Sequence, residues 1–96
     1  MDREDAMAAT KRWTVDIFID EHDDRTTHAE ARLHTSDNTH LNAHGTARRN
    51  PGDAVVPEIG DELAAARALS ELAHLLLHAA AEDIEQITHK RADLQG

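Results

Sequence analysis

The segment that begins near Ile59 constrains the fold most, because its apolar residues recur at steps of three and four. This spacing places them on one side of an α-helix. No glycine or proline interrupts the chain between Asp61 and Gln95. Acidic residues stand at the start and basic residues at the end, as the helix dipole favours. The apolar stripe comprises Ile59, Leu63, Ala66, Leu69, Ala73, Leu76, Ala80, Ile84 and Ile87.

The predicted helix is too long for one small sheet. If it continues to Thr88, it extends about 42 Å, whereas a nine-residue strand extends about 30 Å. Either the helix breaks between Ala79 and Asp83, or its far end packs on another subunit. Further leucines beside the stripe widen the apolar face and favour a homodimer. The residues expected on the dimer or core face of the helix are Leu63, Leu69, Leu72, Leu76 and Ile84.

Three segments before the helix alternate between polar and apolar residues, which is the period of a β-strand with one buried face. They span residues 12–20, 26–34 and 41–48; polar turns separate them, and a proline-containing turn follows the third. The first has the largest apolar side chains, whereas the third has small ones that let a helix approach closely. We therefore predict an α+β fold in two layers, a three-stranded antiparallel sheet with the long C-terminal helix, continuous or broken, on one face.

The chain has 96 residues and is expected to form one domain. Residues 1–11 are expected to be a flexible N-terminus, and residues 12–96 a single β-β-β-α domain. The absence of cysteine excludes disulfides and fits a reducing compartment. No signal peptide is apparent, and no apolar run reaches the roughly 20 residues that span a bilayer. We therefore expect a cytoplasmic protein without membrane contact.

The net charge of −9 is unevenly distributed, and residues 25–49 are the only basic part. An acidic chain with two lysines is a poor nucleic-acid binder overall, so any RNA contact must be confined to one patch. The candidates for RNA or partner contact are Arg32, Arg48 and Arg49, because guanidinium groups pair with phosphates in a bidentate manner. The alternative is that these arginines pair across strands with nearby acidic residues.

No motif predicts catalysis, since the sequence lacks a phosphate loop, a Walker lysine and a serine nucleophile elbow. His74 and His78 share one helix face, but two ligands are too few for a closed metal site. The acidic segment 20–24 is typical of a solvated hairpin turn. Four histidines (His28, His34, His40 and His44) lie in the strand region, where mild acid would add positive charge unless they simply form a polar sheet face. We expect no enzyme activity, cofactor, bound metal or small-molecule substrate.

Four motifs resemble a known protein family. They are W-T-V-D-I-x-I-D-E-H at 13–22, A-x-A-R-L at 29–33, G-x-A-R-x-N-P at 45–51 and V-P-E-I-G-D-E-L-A-x-A-R-A-L-S-x-L at 56–72. The family is a group of small actinobacterial proteins of unknown function, some associated with dormancy and low-oxygen stress. The resemblance implies a homodimer similar in shape to ribosome hibernation-promoting factors, and hence a non-enzymatic stress protein that docks on the ribosome. The alternative, favoured by the acidic charge, is a protein-binding regulatory module without nucleic-acid contact.

Overall fold

The computed structural model describes residues 9–36 and 40–89 of the chain. They form three strands, β1 (Thr14–Glu21), β2 (Thr26–His34) and β3 (His40–Arg48), followed by one helix, α1 (Pro57–Thr88). The sheet is antiparallel throughout and has the order β1-β2-β3. The predicted α+β fold is confirmed. Most of the expected flexible N-terminus, the middle of the second turn and the basic residues Lys90 and Arg91 lie outside the described residues.

The turn between β1 and β2 is held by Asp23. Its Oδ1 accepts hydrogen bonds from the backbone amides of Arg25 and Thr26, both at 2.8 Å. These bonds favour the carboxylate and lower the pKa of Asp23. The acidic turn that the sequence predicts is therefore an aspartate-stabilised hairpin loop.

Helix α1 is continuous over 32 residues, so it does not break between Ala79 and Asp83. It begins with Pro57, whose missing amide hydrogen costs nothing in the first turn. It ends at His89, which adopts a left-handed conformation and donates its amide to the carbonyl of Glu85 at 2.7 Å. At about 1.5 Å per residue the helix is about 48 Å long, and it exceeds the sheet on which it lies.

The helix approaches β3 most closely at Gly45. A Cβ atom at this position would collide with the carbonyl oxygen of Ala64 and the amide nitrogen of Ala68. Because both alanines are fully buried, the helix backbone rests almost directly on the strand. The small residues of β3 thus allow the close approach of the helix that the sequence predicts. The buried apolar core consists of Ala29, Ala31, Leu33, Ala43, Ala47, Ala64, Ala68 and Leu72.

Strand β1 is covered least, although it has the largest apolar side chains. Its register with β2 places Val15, Ile17 and Ile19 on the same side of the sheet as α1. The helix lies over β2 and β3 and touches β1 at few points. The three side chains therefore remain 40, 39 and 42% exposed. The alternation predicts that the first strand buries one face, but this face of β1 remains about 40% exposed, while the smaller alanines of β2 beside it are buried.

The described part of the chain has no helix that is both long enough and apolar enough to cross a membrane.

Candidate partner-binding face

The surface of the sheet opposite α1 is formed by the even-numbered residues of the three strands, which alternate with the core residues. We call this surface the outer face. Within residues 9–36 and 40–89 the only helix packs on the other side, so the outer face is open. It is therefore the part of the fold best placed to receive a partner.

Arg32 stands at the centre of the outer face, above the aromatic ring of Phe18. Its guanidinium carbon lies 4.3 Å from the ring centroid, a distance at which a cation is attracted to the ring. The Nη2 group donates to Glu30 Oε1 at 2.9 Å, and this bond lowers the pKa of Glu30 and raises that of Arg32. Phe18 remains 49% exposed. Ring and guanidinium together offer a flat cationic surface of the kind that can stack a base or pair with an anion.

Four histidines flank this centre on β2 and β3, in two pairs. His28 Nε2 lies 3.1 Å from His44 Nδ1, and the two ring centroids are 5.2 Å apart. At the other end of the strands the rings of His34 and His40 meet edge to face with centroids 5.6 Å apart. The strand register therefore sorts the four histidines that the sequence places on one polar face into two separate pairs.

The other two candidate arginines differ sharply in their surroundings. Arg48 ends β3 on the outer face and is exposed; in the described structure its side chain makes no hydrogen bond or ion pair. Arg49 is instead bound to the neighbouring loops. Its side chain donates to the backbone carbonyls of Asp24 at 3.0 Å, Asn50 at 3.1 Å and Asp53 at 2.6 Å. Arg49 thus joins the hairpin turn to the connection that leads into α1.

The five helix residues predicted for a core or dimer face divide into two groups. Leu72 is 4% exposed and belongs to the core, and Leu76 packs partly against it. Leu63, Leu69 and Ile84 are 45, 42 and 41% exposed. The buried face of α1 is centred on Ala64, Ala68 and Leu72, so it is rotated away from the stripe that periodicity selects. Three of the five predicted residues are therefore exposed to solvent.

A second polar feature lies where the helix begins. A cavity of about 560 Å³ opens between the hairpin turn, the connection after β3 and the first turns of α1, and Glu21, Ala47 and Leu63 help to line it. The carboxyl group of Glu21 lies beside that of Asp61, and a hydrogen bond between them, together with their mutual repulsion, raises the pKa of Glu21. Among the described atoms, Oδ1 of Asp61 is buried without a hydrogen-bond donor.

Sequence reasoning missed three of these contacts: the Phe18–Arg32 stack, the Glu21–Asp61 pair and the backbone bonds of Arg49. Each joins residues from different elements, so alternation within one element cannot reveal it. The first could have been found by assuming a tight hairpin, because residues on neighbouring strands then face each other in a fixed register. In the described residues no group of three or more histidine, aspartate or glutamate side chains could hold a metal ion.

Comparison with known proteins shows which family this chain resembles. The family model described as Rv2632c-like matches residues 11–93. The chain belongs to the Rv2632c-like family. Uncharacterized protein Mb1767 of Mycobacterium bovis is 51% identical over 84 residues, which cover 88% of this chain and 87% of the relative. Uncharacterized protein Rv2632c of Mycobacterium tuberculosis is 46% identical over 80 residues, covering 83% of this chain and 84% of the relative.

A solved member of the Rv2632c-like family has the same fold. The crystal structure of Rv2632c matches this chain with a TM-score of 0.75 and 44% identity, covering 85% of this chain and 95% of that one. These relatives are uncharacterized mycobacterial proteins, and their names indicate no enzymatic activity. The resemblance to an actinobacterial family of unknown function is thereby confirmed at the level of the family.

Proposed function

We propose that the chain is a non-enzymatic binding protein of the cytoplasm that works as a homodimer and presents its outer face to ribosomal RNA. The observation that carries the proposal is the open outer face, with Arg32 stacked on exposed Phe18 and Arg48 without a partner in the described structure. Stacking surfaces beside positive charge are how proteins commonly hold single-stranded RNA on a sheet. The stress and dormancy association of the family resemblance fits a protein that stores or protects ribosomes.

The homodimer is supported by the apolar side of β1. Val15, Ile17 and Ile19 follow one another along one face of the strand, each about 40% exposed, and Trp13 before them is 50% exposed. Continuous exposed apolar surface of this kind marks an interaction site. The far end of α1 exposes two more apolar side chains, Ile84 and Ile87, which one copy can offer to the other. A two-fold symmetric dimer would use each surface twice.

Light scattering coupled to size exclusion tests the dimer. We expect a mass near twice the 10.6 kDa of the chain. Ile17→Asp should give a monomer, because a carboxylate would be buried in the interface. Phe18→Asp is the matched control, since it lies on the same strand with similar exposure but on the outer face, and it should leave the mass unchanged. A single-chain mass for the unmodified protein at all concentrations would refute the dimer.

Ribosome binding is tested by co-sedimentation of the full chain with ribosomes from starved cells. Binding should strengthen as the salt concentration falls, because phosphate contacts release counterions. Arg48→Ala should weaken binding. It should also reduce the slope of the logarithm of the binding constant against the logarithm of the salt concentration by about one, which corresponds to one phosphate contact. Arg67→Ala is the control, because it removes the same charge from α1, where Arg67 donates to the Thr46 carbonyl at 2.8 Å. Absence of the protein from every ribosomal fraction at low and physiological salt would rule out the ribosomal role.

One observation favours a second candidate, an acidic protein-binding module without nucleic-acid contact. Two of the three candidate arginines are already engaged, Arg32 with Glu30 and Arg49 with backbone carbonyls, and the chain as a whole has a net charge of −9. A pull-down from stressed cells with and without RNase distinguishes the two. Recovery of one non-ribosomal protein regardless of RNase, lost on Phe18→Asp, would favour this module.

A further inference from the structure

The pair formed by His28 and His44 on the outer face holds two imidazole nitrogens close together. Nε2 of His28 and Nδ1 of His44 are 3.1 Å apart. Both rings are carried by hydrogen-bonded neighbouring strands, where His28 pairs with Thr46 and His44 pairs with Glu30. The backbone positions of the two histidines are therefore set by the sheet rather than by a flexible loop.

Thr46 lies beside the second ring nitrogen of His28. Its Oγ1 lies 3.3 Å from Nδ1 of His28. When Nδ1–H donates to this hydroxyl, Nε2 carries the lone pair and points toward His44. A hydrogen bond to the second ring nitrogen is the usual device that orients a metal-binding histidine. In the metal-free protein Nδ1–H of His44 then donates to Nε2 of His28.

We propose that His28 Nε2 and His44 Nδ1 bind one divalent transition-metal ion of the class that prefers imidazole, such as Zn²⁺, Ni²⁺ or Cu²⁺. Zn–N bonds of about 2.0–2.1 Å at a tetrahedral angle separate two nitrogens by about 3.3 Å. The observed separation of 3.1 Å differs from this by a few tenths of an ångström. His44 shifts its proton from Nδ1 to the solvent-side Nε2, so binding requires no net loss of a proton from the pair.

The remaining coordination positions are open to water. On the same face Asp20 lies opposite His28 and Glu30 lies opposite His44, and the Glu30 carboxylate is occupied by Arg32 at 2.9 Å. The Glu30 carboxylate therefore adds negative charge beside the ion but is not a third ligand. In the described residues no group of three or more histidine, aspartate or glutamate side chains could hold a metal ion. A two-nitrogen chelate with bound water is an open site, able to accept a further ligand from a partner molecule.

Other histidine pairs compete with this assignment. His74 and His78 are four residues apart on α1, and Nδ1 of His74 bonds the Ser70 carbonyl at 3.1 Å. Spacing alone would favour this helical pair. The pair on the strands is the stronger candidate because its two nitrogens already face each other at chelating distance. His34 and His40 meet edge to face instead, and His34 Nε2 is directed at Asp16 at 3.5 Å.

Calorimetric titration of the tag-free full chain with Zn²⁺ tests the proposal, and the same titration with Ni²⁺ provides a second probe. We expect one ion per chain. His28→Gln/His44→Gln should abolish this binding, whereas His74→Gln/His78→Gln should leave it unchanged. Thr46→Val, which keeps the shape but removes the hydroxyl, should weaken binding by about tenfold or more. Circular dichroism of each variant establishes that it is folded.

NMR provides a second readout, which identifies the histidines that bind the ion. Substoichiometric Cu²⁺ should broaden the ring protons of His28 and His44 before those of any other histidine. The proposal is overturned if the unmodified chain binds no Zn²⁺ or Ni²⁺. It is equally overturned if binding survives in the folded His28→Gln/His44→Gln variant, or disappears in the folded helical variant instead.

Discussion

Replacement of Gly45 by alanine tests the packing of α1 on β3 directly. The added methyl group would collide with the carbonyl oxygen of Ala64 and the amide nitrogen of Ala68, and lie 2.8 Å from the Arg67 carbonyl carbon. All three are backbone atoms of a helix, so none of them can move away by a change of side-chain rotamer. The helix must therefore rise from the sheet as a unit.

The cost follows from the size of that movement. Carbon atoms attract best at about 3.5–4.0 Å, so the helix must rise by roughly 1 Å, and a gap of 0.5–1 Å forfeits about a quarter to a half of the attraction between the separated atoms. Overpacking of a core typically costs about 1–3 kcal/mol. With the loss of attraction along Ala64 and Ala68, we expect Gly45→Ala to lower the free energy of unfolding by about 2–4 kcal/mol. The melting temperature should fall by roughly 10–25 °C.

Gly52→Ala is the matched control for this measurement. A Cβ atom at Gly52 meets nothing within 4 Å, and the residue does not have a positive φ. Alanine there should leave stability unchanged or raise it by about 0.4–1 kcal/mol, because it restricts the unfolded chain. Both variants are melted by far-UV circular dichroism at one protein concentration, since dimerisation makes the melting temperature concentration-dependent. Equal melting temperatures for Gly45→Ala and Gly52→Ala would refute the close packing.

Three further predictions concern single side chains. Glu21→Gln should raise the melting temperature at neutral pH. Because the pKa of Glu21 beside Asp61 is raised, the unmodified protein loses stability as the pH rises above 4.5, the ordinary pKa of a glutamate. The gain should vanish as pH falls below that value, which a series of thermal melts across pH measures. Arg49→Lys should cost about 1–2 kcal/mol in urea unfolding, because lysine cannot bond several carbonyls at once. Leu72→Ala should cost about 2–5 kcal/mol in the same assay, and Leu69→Ala, at a 42% exposed position, well under half of that.

The order and type of the elements could be predicted from the sequence because each follows from a local period. Alternation identifies the three strands within one or two residues of their observed bounds. Periodicity does not determine which side of α1 lies on the sheet, because alanines and leucines occupy most of the helix circumference. The contact at Gly45 decides this rotation by selecting Ala64 and Ala68, and it depends on the distance between two elements far apart in sequence.

Only the residue types of the candidate site, and the face on which they lie, could be predicted from the sequence. The sequence places histidines and arginines on one face of two strands, and the structure has them there. Which histidine meets which depends on the register between β2 and β3, and the approach of His28 to His44 is diagonal rather than directly across. The role of Arg49 could not be predicted from the sequence either, because its bonds to Asp24 and Asp53 require two loops to meet at one end of the sheet.

The use of minimal side chains between helix and sheet also restricts how the family can diverge. At Gly45, Ala64 and Ala68 almost every substitution enlarges the residue, and a close-packed interface does not accept the added volume. Side chains on the outer face and along β1 are at least partly exposed, so the structure accommodates substitutions there more easily. Descendants of this fold are therefore free to acquire new partners while three of their smallest residues stay fixed, and in an alignment of relatives those positions should be the last to change.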